Sequence, residues 1–474
     1  MASVRWKCLS SEEEDAIHQK SIEALEDIGV LVRSESVLSM LEDSGAIVDA
    51  RKRIAVMPES MVNEALRKAP KSFKLCARDS GNDIDLPTDG MPRLSTDGLT
   101  LYMIDIDTGE QRNATRQDFG DFAKLADALD AIDFFWPIVT ISDVPVQCHN
   151  AYELWTGIEN CSLHVQGDCT NALDAKKQIE LGSIAAGGRD ELRRRPLFSA
   201  ATNPISPLSF DEGAVEAQVE FAKAGIPILC HSMSMPGSSS PVTIAGTVVN
   251  INCENLASIV ITQVASPGAP HIYGSSSAPI DMRTGAIDFS APEHLLISAA
   301  AGQMAKRYHR PCMVANWGMG GEATGVKASF SESFSYISSV FSGSDLIPGI
   351  GGLDCSKSCS LEQVVLDSYM WDNFRAFLRD FRINDETLAI DVMREVGQGN
   401  CYLAHTHTAR NYGSSLHKWD AEKLSIESAS SDRMMPELRD AARRMLADHA
   451  VTLLEDDVRE EGERVLAEYS RSTS

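Results

Sequence analysis

Between Phe134 and Ile350 the chain repeats one pattern: a short apolar run, a polar or glycine-containing break, then a longer amphipathic segment. The apolar runs are Phe134 to Ile141, Leu163 to Gln166, Leu197 to Thr202, Ile226 to Cys230, His271 to Tyr273, Cys312 to Ala315 and Leu346 to Ile350. Between them lie helix-like stretches such as Ala172 to Ala186, Glu212 to Ala224, Pro292 to Tyr308 and Leu361 to Phe381. Short runs of this kind are strands buried on both faces, and the intervening helices cross over between parallel neighbours. Seven runs, with an eighth from the Leu101 region, predict an α/β chain whose core is a (β/α)8 TIM barrel rather than an open sheet. No G-x-G-x-x-G follows the first strand of such a unit, which argues against a dinucleotide fold.

The flanks differ in texture. Before Lys71, helical spacing recurs in three pieces, the first opened by Ser10-Ser11-Glu12-Glu13 and stopped at Gly29. From Phe73 to Asn113, short alternating runs with a turn at Asp107-Thr108-Gly109 read as β-hairpins at the barrel's edge. After Arg382 the pattern is helical through Glu386 to Val396 and Pro436 to Glu468. The expected division is therefore a helical and hairpin extension over 1–113, a catalytic barrel over 114–382, and C-terminal helices over 383–474. A net charge of −25 disfavours nucleic acid and acidic membranes as partners. The stretch Ile244 to Ala265 is interrupted by Asn250, Asn252, Glu254 and Asn255, and predicts a buried helix rather than a membrane span. The first residues lack an apolar signal region, and eleven scattered cysteines fit reduced thiols, so the expected location is the cytoplasm.

Each apolar run ends in small, polar or aromatic residues: Gln166-Gly167-Asp168, His231-Ser232-Met233, Gly274-Ser275-Ser276, Asn316-Trp317-Gly318 and Gly351-Gly352-Leu353-Asp354 among them. This is the composition of a lined pocket at the carboxyl end of a barrel. Gly318, Gly320 and Gly321 in one loop, and Gly349, Gly351 and Gly352 in the other, suit a phosphate cradle, a planar cofactor close to backbone, or tight turns alone. His405-Thr406-His407, with Cys401 nearby, would share a strand face and invites a metal reading. It falls after the barrel should be complete, so a structural or capping role is preferred and no tightly bound metal is expected. Cys355 and Cys359 are one residue too far apart for a C-x-x-C pair, and no G-x-S-x-G elbow is present.

Several segments carry a resemblance. GSDLIPGIGGLDCSKSCSLEQVVLD, DETLAIDVMREVGQGNCYLAHTHTARN and the N-terminal ALEDIGVLV resemble the trimethylamine methyltransferase family, over about residues 15 to 420. The resemblance implies a (β/α)8 barrel that moves a methyl group from an amine to the cobalt of a corrinoid (cobalamin) carried by a cognate corrinoid protein. Relatives acting on trimethylamine carry pyrrolysine in the loop after a late strand, at the place of Asn316. This chain has none, which resembles the branch using quaternary amines, glycine betaine above all and also proline betaine or carnitine.

A quaternary ammonium leaves as a neutral amine, so no general acid is needed and the task is positioning. The expected catalytic pair is Asn316 and Trp317. Aromatic faces for the cation are sought at Trp317, Tyr273, Phe135 and Trp136, with at most one of the adjacent Phe135 and Trp136 facing inward. Gln166, His231, Arg283 and Asp354 complete the expected substrate contacts, His231 and Arg283 toward a substrate carboxylate. Gly318, Gly320, Gly351 and Gly352 are the residues expected to admit the corrinoid. A homo-oligomer is expected. Two other readings are carried: a zinc-dependent barrel methyltransferase using His405, His407 and a cysteine, and a non-catalytic barrel that binds quaternary amines.

Overall fold

The computed structural model describes residues 6–318, 335–337, 339–379, 381–416 and 431–473. Eight parallel strands follow one another around a barrel in chain order: β1 (Arg93–Thr96), β2 (Phe134–Phe135), β3 (His164–Asp168), β4 (Phe198–Thr202), β5 (Ile228–Ser232), β6 (His271–Ser275), β7 (Cys312–Met313) and β8 (Leu346–Ile350). Helices α1 (Arg116–Asp127), α2 (His149–Asn160), α3 (Ala172–Ala186), α4 (Glu212–Ala224), α5 (Ile244–Ala265), α6 (Pro292–Arg307) and α7 (Leu361–Phe377) cover its outside. The first strand corrects one expectation. It lies at Arg93–Thr96, inside the stretch 1–113 assigned to the extension, and not near Leu101. Tyr102–Ile104 instead pairs with Gln111–Arg112 and with Ser358–Cys359 on the rim.

The barrel closes by β8 pairing with β1, and Asp345 gathers the bonds at the seam. Asp345, just before β8, donates its backbone N–H to the Cys312 carbonyl at 2.9 Å, and its own carbonyl accepts from Arg93 N at 2.9 Å. Its carboxylate accepts from Cys312 N at 2.8 Å, from Thr88 N at 3.0 Å and from the Lys306 ammonium. The last seam bond runs from Trp317 N to the Pro348 carbonyl at 2.7 Å. Gly349, at φ +130°, makes that approach sterically feasible, because a Cβ there would sit 2.0 Å from the Trp317 carbonyl oxygen.

The two barrel ends are chemically unlike. At the amino end, Leu75, Ile84 and Leu86 of the hairpin Phe73–Leu75/Ile84–Leu86 pack on Phe134, Leu229, Ile272, Met313 and Leu346. That end is an apolar plug. The carboxyl end holds the polar side chains. The N-terminal helices Ser11–Asp27, Glu35–Asp43 and Glu59–Lys68 pack with α5, and the strand Val30–Val32 pairs in parallel with Ser209–Phe210 of the β4–α4 connection. The helix long and apolar enough for a bilayer, Ile244–Ala265, lies between these layers, with 78% of its apolar window buried.

Past α7, the expected helix over Glu386 to Val396 is two short ones, Asp385–Leu388 and Ile390–Val396, broken at Ala389, where φ is +51°. The helix Ser431–Asp448 buries Leu438, Ala441 and Ala442, and Arg439 reaches the buried Glu362 of α7 at 3.1 Å. The last helix, Asp456–Thr473, is charged on one side but buries Val465, Leu466 and Tyr469 against Trp155 and Leu181. Replacing the buried seam carboxylate leaves the half-buried Lys306 ammonium and two backbone donors without their acceptor. Asp345→Ala is therefore expected to cost about 3–5 kcal/mol, read as a lowered urea midpoint. A loss under about 1 kcal/mol would show that closure does not depend on it.

Candidate active site

Strand parity decides which residues face the barrel interior. On β2, Phe134 points in and Phe135 points out, where its ring meets Phe119 of α1 edge-on at 5.5 Å. Trp136, the next residue, points in again. Phe135 is thus corrected from a substrate contact to an outer-layer core residue, and Trp136 is the inward aromatic. Its ring is held on three sides. The indole N–H donates to Asp168 Oδ2 at 2.6 Å, His231 stands edge-on at 5.3 Å, and Gly98 lies against the ring. A Cβ on Gly98 would come within 2.8 Å of Trp136 Cε2.

From Trp136 a polar chain continues across the carboxyl ends of the later strands. His231 Nε2 lies 2.6 Å from Ser276 Oγ, and Ser276 Oγ donates to Asn316 Oδ1 at 2.8 Å. A serine that donates onward must accept from His231, which places the neutral imidazole's proton on Nε2. Burial pushes the His231 imidazole down to about 4, so it is neutral at ordinary pH. The Asn316 amide is left with Nδ2 unpaired among the described residues, and Gln166 on β3 has both amide atoms unpaired there. Asp168, two residues along the same face, is held up to about 7 by burial, against the Trp136 hydrogen bond that lowers it. Asp97, at the end of β1, is likewise held up to about 6 by burial, and its Oδ2 has no hydrogen-bond partner among the described residues.

Other expected residues fall elsewhere. Tyr273 faces outward, its hydroxyl donating to Asn252 Oδ1 of α5 at 3.2 Å, because it shares parity with His271 and not with Ile272. Trp317 is fully buried outside the barrel, with Tyr336 at 4.3 Å, Trp371 at 5.4 Å and Phe374 at 5.4 Å between ring centroids. It is a core anchor for α7. Arg283 is 89% exposed on the β6–α6 connection and pairs with Asp281. Asp354 opens a run of left-handed residues with Cys355 and Ser356 in the rim hairpin and pairs with Lys357 at 3.5 Å. Neither Arg283 nor Asp354 joins the interior array.

Two of the glycines expected to admit the corrinoid are packed tightly by this chain's own atoms. A Cβ on Gly351 would meet Val364 at 2.4 Å, one on Gly352 would meet Asp97 Oδ2 at 2.2 Å, and Gly318 sits beside Tyr336 and Asp367. At Gly351 and Gly352 the absent side chains make room for this chain's own atoms, whereas Gly318, at φ +64°, has only ordinary contacts around it. Gly320 lies outside the described residues. His405 is the N-cap of the helix Thr406–Ser415, with Nδ1 accepting from His407 N at 3.1 Å and Nε2 against Glu395 at 3.0 Å. The shared strand face that the metal reading required is not formed.

Asp168 is not among the substrate contacts expected from sequence, and Trp136 enters there only as the alternative to Phe135. The signal for both is nonetheless present, in Gln166-Gly167-Asp168, where residues two apart share a face, and in the choice between two adjacent aromatics. Small, buried polar groups thus converge on the carboxyl end of a parallel barrel, the end at which barrel enzymes place their active sites.

The particular family follows from comparison. A family model described as trimethylamine methyltransferase (MTTB) matches residues 2–469. The chain is 33% identical over 402 residues to the trimethylamine methyltransferase MttB of Desulfitobacterium hafniense, covering 84% of this chain and 80% of that one. It is 29% identical to the Methanosarcina barkeri enzyme of that name over 462 residues, covering 96% of this chain and 93% of that one. It is 26% identical over 411 residues to a glycine betaine methyltransferase of Desulfitobacterium hafniense, covering 86% of this chain and 85% of that one. Among solved structures, the monomethylamine methyltransferase (MtmB) of Methanosarcina barkeri superposes with a TM-score of 0.50 at 13% identity, covering 96% of this chain and 97% of that one, which supports the shared fold. The chain belongs to the trimethylamine methyltransferase family and is a methyltransferase.

The raised Asp168 gives a pH signature. Between its ordinary value of 3.8 and about 7, the unfolded chain releases a proton that the folded chain keeps. Folded stability therefore falls as pH rises through that window, and Asn keeps the acceptor for Trp136 without the charge. Asp168→Asn is expected to match the parent at pH 4 and exceed it by roughly 2–4 kcal/mol above pH 8, in urea unfolding at both pH values. A constant difference across pH would contradict this. Trp317→Ala, by contrast, is expected to behave as a core truncation costing about 3–5 kcal/mol, seen as a lowered thermal midpoint.

Proposed function

We propose that this methyltransferase takes its methyl group from a quaternary amine, with glycine betaine the favoured substrate, and delivers it to a corrinoid carried by a separate protein. The observation that carries the reading is the inward pair of Trp136 and Asp168 in a barrel sealed at its other end. An aromatic ring beside a carboxyl group is what a permanent cation without N–H donors requires, the ring contributing about 0.5–2 kcal/mol according to desolvation. The family supports the methylated-amine class, and the relative named as a glycine betaine methyltransferase supports the finer choice. The absence of pyrrolysine points the same way, since Asn316 stands where the resemblance places that residue.

The reduced corrinoid supplies the nucleophile, and the chain's own contribution is binding, orientation and exclusion of water. Asp168 ionises when a cation arrives, because the new positive charge offsets the desolvation that holds it protonated. His231, neutral, spaces Trp136 from Ser276 and places no competing cation in the site. Ser276 fixes the Asn316 amide, leaving Nδ2 as a donor in the interior. No general acid is required, since the departing tertiary amine is neutral.

The test is incubation with reduced cobalamin and glycine betaine, carnitine or proline betaine, following methylcobalamin formation. Turnover with at least one of them, and none with trimethylamine, is the expected result. Binding without turnover when reduced corrinoid protein is also supplied would favour a non-catalytic binder. Asp168→Asn is expected to lower kcat/KM by about 100-fold, roughly 2.7 kcal/mol of cation stabilisation.

A further inference from the structure

Gln166 takes part neither in the Trp136–Asp168 pair nor in the chain from His231 to Asn316. It is fully buried, and neither Nε2 nor Oε1 has a hydrogen-bond partner among the described residues. An unpaired buried amide carries a desolvation penalty with nothing to offset it, unless a ligand supplies the missing bonds. Its neighbours on the same strand face are otherwise engaged. One pleat deeper, His164 is bonded at both nitrogens, to the Cys76 carbonyl at 2.8 Å and to Ser199 Oγ at 3.0 Å. Below it lies the apolar plug. One pleat toward the mouth, about 6.6 Å away along the strand, is Asp168 with Trp136 beside it.

That face is therefore polarised along its length. A neutral amide donor sits at depth, and a carboxyl group with an aromatic ring sits nearer the carboxyl end of the barrel. Among the described residues no Lys or Arg shares it: Arg283 is on the surface, and β3 runs His-Val-Gln-Gly-Asp. We propose that the substrate is a zwitterion held end-on along β3, with its acid group accepting from Gln166 Nε2 at depth. Its ammonium then lies one pleat nearer the mouth against Asp168 and Trp136, and its N-methyl groups face the open end from which the acceptor comes. The assignment rests on the quaternary-amine reading. It adds which end of the molecule enters first and which residue distinguishes an acid-bearing substrate from a simple cation. A neutral amide suits this role, because a fixed positive charge there would oppose the ammonium group a few ångströms away.

The experiment is isothermal titration calorimetry of the full chain with glycine betaine, choline and tetramethylammonium, without corrinoid, for the parent, Gln166→Met and Gln166→Glu. Met replaces an unpaired amide by an apolar chain of similar length, so folding is expected to persist and is checked by circular dichroism. The parent is expected to bind glycine betaine at least about tenfold more tightly than tetramethylammonium. Gln166→Met is expected to abolish that preference while holding tetramethylammonium within about threefold of the parent. Gln166→Glu is expected to weaken glycine betaine further and to bind choline at least as tightly as the parent does. A betaine preference that survives Gln166→Met, or choline binding the parent as tightly as glycine betaine, overturns the end-on assignment and leaves the quaternary-amine reading standing. Failure of all three compounds to bind the parent removes the quaternary-amine reading itself, and this assignment with it.

Discussion

Asp345 holds the barrel shut, and the site exists because the barrel is shut. A parallel sheet of eight strands gains nothing special from its eighth member unless the last strand also meets the first. Here the residue preceding β8 bonds β7 and β1 with its backbone, while its side chain takes two backbone donors and the Lys306 ammonium. Those bonds fix the height of β8 relative to β7, and so bring Trp317 N to the Pro348 carbonyl, while the β6–β7 ladder brings Asn316 to Ser276. A carboxylate with a single partner would not repay its burial; one that collects several donors at a seam sets register as well as stability.

The chain's architecture was legible because it is written locally. Strand runs and helix periods depend on residues within a few positions of one another, and seven of eight barrel strands fall where the apolar runs stand. The first strand was not legible in place: Arg93–Thr96 is a short polar-looking segment whose burial comes from its neighbours β2 and β8. The site was legible as a rim but not as a set of side chains. Parity within a strand is certain from sequence, whereas its phase is set by distant pairing. Phe135 and Trp136 could be recognised as one in and one out, and only the register of β2 against β3 selects Trp136. The same phase error carried Tyr273 outward.

Trp317 shows a different failure. It was sought as an aromatic face for the cation, yet Gly349 lets backbone pass close to Trp317's own backbone at the seam, and the indole fills the space under α7. Glycine beside an aromatic residue thus signals close approach of main chains without saying on which side of the sheet the ring lies. Arg283 failed for a simpler reason: charge alone recommended it, and a loop carried it to the surface.

In the interior, burial acts on acids and bases in opposite directions and moves each toward its uncharged form. It raises Asp168 to about 7 and Asp97 to about 6, and lowers His231 to about 4. Without a ligand the site therefore carries less charge than its two carboxyl groups would carry in water, which lowers the cost of burying them. Entry of a permanent cation changes the balance at one point, since only an acid can answer it by losing a proton. An arginine in that position would add repulsion, and a fixed, already ionised carboxylate would destabilise the empty protein. A carboxyl group held near neutrality by its surroundings satisfies both states. The Trp136 N–H keeps it aimed, so that the charge, when it forms, forms beside the ring that also receives the cation.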